Sequence, residues 1–208
     1  MAAILSSFEL PLPLFHEDVR AIAASAIERH GSEEWRLAVL AGELHGHLGI
    51  YSTLGVKMGL RAREILAGKG LHGEISVLSF AGSAPPVSCL NDGLQVSTGA
   101  TVGHGLIAVS DEPLKRVEAL FRCLGSHPQD TQQPTAPRQS SSSLSPQQPV
   151  VETGLRLALR PEYEECIRGD IADAVSCFGH SPAYWDHIRA LALRYWADWD
   201  RRTIFAEV

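Results

Sequence analysis

No run of about 18 or more consecutive apolar residues occurs in this 208-residue chain, so no segment reads as a membrane-spanning helix. Basic residues are outnumbered: 18 Lys and Arg stand against 24 Asp and Glu, and no Lys/Arg cluster could track a phosphate backbone, which argues against a nucleic-acid partner. The first fifteen residues lack a basic start, carry Glu9 and are broken by Pro11 and Pro13, unlike a secretion signal. The four cysteines, Cys89, Cys123, Cys166 and Cys177, form no CxxC pair, a pattern of reduced thiols rather than of a disulfide framework. These absences point to the cytoplasm. What remains, 45% of it hydrophobic, is enough for one main domain with a substantial core.

Helical and strand patterns are interspersed. Residues 16–30 set Val19, Ile22, Ala23, Ala26 and Ile27 on one helical stripe before Gly31. Ser32, followed by Glu33 and Glu34, reads as an N-cap opening a second helix that runs through Trp35 and Leu37 into His45. A third helix is predicted over 52–66, with Gly55 and Gly59 four residues apart. Each glycine costs a helix about 1 kcal/mol against alanine, so these two imply a close-packed seam with another helix or with a partner chain. The segment 73–82 reads as a mostly buried strand, 87–96 as a helix opened by Pro85-Pro86, and 104–109 as another strand.

Composition then breaks. Residues 126–150 hold little besides Ser, Pro, Gln and Thr, too little apolar surface to offset the entropy of ordering them, and read as a disordered insert between a core at 1–125 and a closing part at 151–208. That closing part begins with a period-two strand at 154–160, expected to return to the main sheet, and continues in helices at 162–178 and 183–205. The second carries Tyr184, Trp185, Ile188, Leu191, Tyr195, Trp196 and Trp199, a stripe suited to docking on the core or on a partner chain. His16, His30, His72, His127, His180 and His187 are isolated and read as surface or cap residues.

Two glycine-rich segments concentrate the chemistry: His45-Gly46-His47-Leu48-Gly49, and the run from Pro85 to Gly105. Histidines two apart on a non-helical segment can grip one ion, and the thiol of Cys89 would complete a three-ligand set with a position left for water or substrate. Mixed N and S donors suit a transition metal, zinc foremost. On spacing alone, metal binding and plain helix capping by these histidines stay equally open. Asp92 falls on the helical face of Cys89, where it could orient a ligating imidazole or serve as a base. Gln95, Thr98, Thr101 and His104 could line a polar pocket, or simply make the turn hydrogen bonds usual for such residues.

HGHLGIYSTLGVKMGLRA, followed by the strand and by PPVSCLNDGLQVSTGATVGHGLI, resembles the FmdE family of domains associated with formylmethanofuran dehydrogenase. The resemblance covers roughly residues 15–110, and 154–208 is similar to the tail of bacterial members. It implies an α+β fold, a mixed β-sheet packed by helices with a helical C-terminal segment, and a closely associated homodimer. It also implies metal binding at His45, His47 and Cys89. Where many members have Cys-Pro after HxHL this chain has Gly49-Ile50, so a fourth ligand offered there is missing. A lysine frequent in the last motif is His104 here, and no CxxC pair after residue 110 provides the zinc finger some relatives add. Two functions follow from the resemblance. One is a metal-dependent enzyme, or a component of a one-carbon or molybdenum/tungsten redox complex. The other is a non-catalytic module that delivers metal or docks on a larger assembly.

Overall fold

The computed structural model describes residues 11–112, 115–124, 154–179 and 181–208. After a 3-10 turn at Leu12–Leu14, three helices follow in quick succession: α1 (Glu17–His30), α2 (Ser32–His45) and α3 (Ile50–Gly68). A single residue, Gly31, separates the first two. It takes φ 90°, a backbone region closed to most side chains, and so is itself the cap where Ser32 was expected to be. Strand β1 (Glu74–Ser79) leads through a 3-10 turn at Val87–Cys89 into α4 (Leu90–Thr98), then β2 (Ile107–Val109) and β3 (Glu118–Leu124). The closing part supplies β4 (Gly154–Leu159), α5 (Pro161–Phe178), α6 (Pro182–Asp198) and β5 (Phe205–Glu207).

The fold is α+β, with a five-stranded mixed sheet in the order β2-β1-β3-β4-β5. The β1–β2 pair is parallel and the other pairs are antiparallel. Strand β3, which carries no clear signal in the sequence, is the middle strand, pairing Phe121 with Val77 on one side and Leu155 on the other. One sheet face is apolar: Ile75, Val77, Phe121, Leu155 and Leu157 pack in one core with Leu54, Met58 and Leu66 of α3. Helix α3 is buried almost all round through its first three turns. Its other side meets α1, α2 and α6 in a second core around Val56, Leu60, Trp35 and Trp196.

Several expectations change. The helix expected to reach 205 stops at Asp198, and three residues beyond it become β5, paired with β4. The strand expected from His104 begins at Ile107, because residues 101–105 form a turn. His30 is not a surface residue: it is 4% exposed, with Nε2 2.9 Å from the Ala197 carbonyl. Its helix position follows Val19, Ala23 and Ala26 on the buried stripe, where the ring covers core and still reaches a partner. The aromatic stripe mostly docks on its own chain, Trp196 stacking on Trp35 at 4.5 Å and Tyr195 on Trp199 at 4.0 Å between ring centres, while Trp185 stays exposed. The 126–150 insert lies outside the described residues. No helix among the described residues is long and apolar enough to cross a membrane.

At the junction of the two cores sits a buried ion network that the sequence does not announce. Lys57 of α3, fully buried, donates to Glu34 Oε1 of α2 at 2.5 Å and to the Trp199 carbonyl at 2.7 Å. Arg201 completes it, donating to Glu34 Oε2 at 2.8 Å and to Glu64 Oε1 at 2.6 Å. Two charges buried this deeply persist only when paired and hydrogen-bonded, and here Lys57 has two acceptors and each Glu34 carboxylate oxygen has a donor.

Candidate functional site

The site begins where α2 ends. His45 is the last helical residue and Gly46 turns out of the helix in the left-handed conformation, φ 82°. The imidazoles of His45 and His47 are thereby brought side by side, ring centres 4.3 Å apart and tilted by 41°. The chain re-enters a helix at Gly49, whose carbonyl accepts hydrogen bonds from the hydroxyls of Ser52 and Thr53. A Cβ built on Gly49 would lie 3.3 Å from His45 Nε2, so the glycine leaves this nitrogen its space.

Helix α4 carries the other half. It crosses α3 at backbone contact: a Cβ on Gly55 would lie 2.2 Å from the Leu90 carbonyl oxygen, and one on Gly93 2.0 Å from that of Ser52. Gly59 likewise makes room for Ser97, whose hydroxyl donates to the Gly93 carbonyl at 2.7 Å. The glycine seam is therefore internal to the chain, between α3 and α4. It sets the depth at which α4 presents Asp92, and Asp92 Oδ2 lies 2.7 Å from His45 Nδ1.

That contact favours the Nδ1–H tautomer. Asp92 accepts a hydrogen bond from Nδ1–H, which in the neutral ring leaves the lone pair on Nε2. Nε2 is buried and has no hydrogen-bond partner among the described residues. A nitrogen acceptor in that state suits a metal ion, with the carboxylate on the far side of the ring orienting it. Cys89 lies one turn before Asp92. Its half-buried thiol is held above its ordinary pKa, first by burial and then by the Asp92 charge, and so is protonated near neutrality. His47 is pushed down, by burial foremost and then by His45, which keeps it a neutral ligand-competent imidazole. Tyr51, on the first turn of α3, has its phenol pKa raised by burial, then by Glu164 and Cys89, and so borders the same site. Sequence reasoning did not single out Tyr51, although it stands inside the motif two residues after Gly49.

Among the described residues, no group of three or more His, Cys, Asp or Glu side chains is gathered as a ready metal cage. What is assembled is the His45–Asp92 pair beside His47, with Cys89 at the N-cap of the Asp92 helix. The remaining candidates do local work. Gln95 Oε1 accepts from the Val102 amide, Thr98 donates to the Leu94 carbonyl and accepts from Ala100, and Thr101 accepts from the His104 amide. His104 itself is exposed. These bonds shape the turn between α4 and β2, and among the described residues none joins it to His45.

Residues 44–132 match a protein-family model described as "FmdE, Molybdenum formylmethanofuran dehydrogenase operon". The matched segment starts at the last residue before His45 and takes in His47, Cys89 and Asp92, so it supports the resemblance carried by the two motifs. No curated protein matches the chain.

Proposed function

We propose that this chain, with its FmdE-type segment, binds one transition-metal ion, zinc foremost, through His45, His47 and Cys89. The observation that carries the reading is the orphaned Nε2 of His45, buried and without a hydrogen-bond partner among the described residues, while Asp92 holds the opposite ring nitrogen. Bound there, the ion would supply a Lewis acid for a carbonyl or a lowered pKa for water. Asp92 positions His45 through Oδ2, leaving Oδ1 for proton handling. The family description names a molybdenum formylmethanofuran dehydrogenase operon, which supports a redox-enzyme complex as partner, and a cytoplasmic setting and a homodimeric state are proposed with it. Gln95, Thr98, Thr101 and His104 then act by holding the turn that follows α4.

The test is elemental analysis of the purified chain beside three variants. About one equivalent of metal is expected in the wild type and none in His45→Ala/His47→Ala or Cys89→Ser. Asp92→Asn should bind about 10–100-fold more weakly, the usual loss on removing an orienting carboxylate. Absence of metal after reconstitution under reducing conditions would sink the reading. Metal without turnover of any carbonyl or formyl compound would favour the non-catalytic module over the enzyme.

A further inference from the structure

Near the start of α1, Arg189 reaches across from α6 to Asp18. Its Nε and Nη2 donate to the two carboxylate oxygens at 2.6 and 3.1 Å. Two parallel N–H···O bonds of this kind hold a planar guanidinium by one edge and fix its orientation. The opposite edge is unused: Nη1 has no hydrogen-bond partner among the described residues. The side chain is also 32% exposed, so a ligand can reach it.

Arg189 lines a cavity of about 350 Å3 between α1, the end of α2 and α6. Small-molecule pockets run from about 300 to 1,000 Å3, so this one suits a compact ligand. Its lining is mixed. Phe15, Val19, Val39 and Leu48 supply apolar surface, whereas Arg189, His16 and His47 bring nitrogen donors. His16 stands at the N-cap of α1 yet makes no capping bond with its side chain, which leaves the imidazole uncommitted. Among the described residues lining this cavity Glu43 alone is acidic, and it is exposed, where water and salt screen its charge. Asp18 is already answered by Arg189. Donors therefore outnumber acceptors around the cavity, and the strongest of them is a guanidinium, whose bonds to a carboxylate are about twice as strong as those to a neutral oxygen.

We infer that this cavity binds a small carboxylate with a short apolar body, its oxygens accepting from the unused edge of Arg189 and its body lying against Phe15, Val19 and Val39. Asp18 is then a positioning residue that keeps the guanidinium in place. The site needs no metal, so it stands whether or not His45, His47 and Cys89 hold one.

The experiment is an NMR titration of the full chain, freed of metal by chelation, at pH 8, where unperturbed histidines are neutral. The backbone amide signals of Val19, Val39 and Gly46 report on the cavity. Probes come in matched pairs of similar shape: isovalerate with isovaleramide, and phenylacetate with phenylacetamide. Both acids should shift these signals in a saturable way, and both amides should bind about tenfold more weakly or worse. Arg189→Gln/Asp18→Asn, which keeps a neutral hydrogen-bonding pair in place of the ion pair, should bring the acids down to the level of the amides. Gly42→Leu should abolish binding of both while leaving the Arg189–Asp18 pair intact. A Cβ at Gly42 meets nothing nearer than the His47 carbonyl oxygen at 4.0 Å, so the new side chain enters the cavity without straining α2. Unchanged amide signals away from the cavity confirm that both variants are folded. Amides binding as tightly as acids, a preference for acids that survives Arg189→Gln/Asp18→Asn, an unaltered response in Gly42→Leu, or no shift by about 50 mM acid would each overturn the inference.

Discussion

Replacing Gly93 by alanine adds one methyl group where the backbones of α3 and α4 touch. The new Cβ would stand 2.0 Å from the Ser52 carbonyl oxygen, 2.6 Å from the Val56 nitrogen and 2.8 Å from the Gly55 carbonyl carbon. Ordinary contact begins near 3.4 Å, so the helices must part by about 1.4 Å (3.4 − 2.0), and every obstacle is backbone that cannot swing aside. Overpacking of this kind costs about 1–3 kcal/mol, here toward the upper end, against about 1 kcal/mol gained from alanine's better helix propensity. The net is a loss of about 2 kcal/mol, or a melting temperature lower by about 4–8 °C for a chain of this size. Gly169, on α5, meets nothing within 4 Å, so Gly169→Ala should instead gain about 0.5–1 kcal/mol. The same chemical change therefore carries opposite signs at two helical glycines. Thermal and urea unfolding of the two variants reads this directly. Asp92 neighbours Gly93, so parting the helices also threatens its 2.7 Å bond to His45, which the nitrogen chemical shifts of the His45 ring report. A Gly93→Ala protein as stable as the wild type would refute the argument that direct α3–α4 contact sets the position of Asp92.

Two further outcomes are expected. Lys57→Met removes the cation from a fully buried carboxylate, leaving Glu34 to Arg201 alone, and should cost about 3 kcal/mol in urea unfolding. Lys57→Met/Glu34→Gln should cost less than the sum of its single variants, and strict additivity would show that the groups do not act as a unit. Burial, followed by the Lys57 charge, holds the His30 pKa below 6.5. The unfolded chain therefore binds this proton first, so the stability that His30 contributes is full above about pH 6.5 and is lost as pH falls toward the folded value. His30→Gln keeps a donor for the Ala197 carbonyl and should flatten the stability profile between about pH 7 and 5. Identical slopes in the two proteins would refute the assignment.

Local signals were legible in the sequence because they are local in cause. The stripe of Val19, Ala23 and Ala26, the alternation in 154–159 and the paired glycines each mark a face that must be covered, whatever covers it. The expectation that Asp92 could orient an imidazole rested on residue type, and the fold supplies the imidazole from 47 positions away. What escaped depends on partners distant in sequence. β3 mixes Glu118, Arg122 and Cys123 with its apolar residues, and reads as a strand only once β1 and β4 flank it. The buried role of Lys57 was not legible, since its partners, Glu34 and the Trp199 carbonyl, come from 23 and 142 positions away. The end of α6 was misplaced because Trp199 continues the aromatic period while its backbone is already extended, φ −87° and ψ 119°.

The ion network at the heart of the helices also has a direction in time. A ribosome delivers α2 and α3 long before residue 201, and until then Glu34 and Lys57 have neither Arg201 nor the Trp199 carbonyl to complete their hydrogen bonding. Burying them before then would leave polar groups short of partners in the core, so the final packing of α2 on α3 is favoured only once the segment around Trp199 and Arg201 is in place. Residues near the C-terminal end of the described chain thereby complete a packing that the helices near its other end begin.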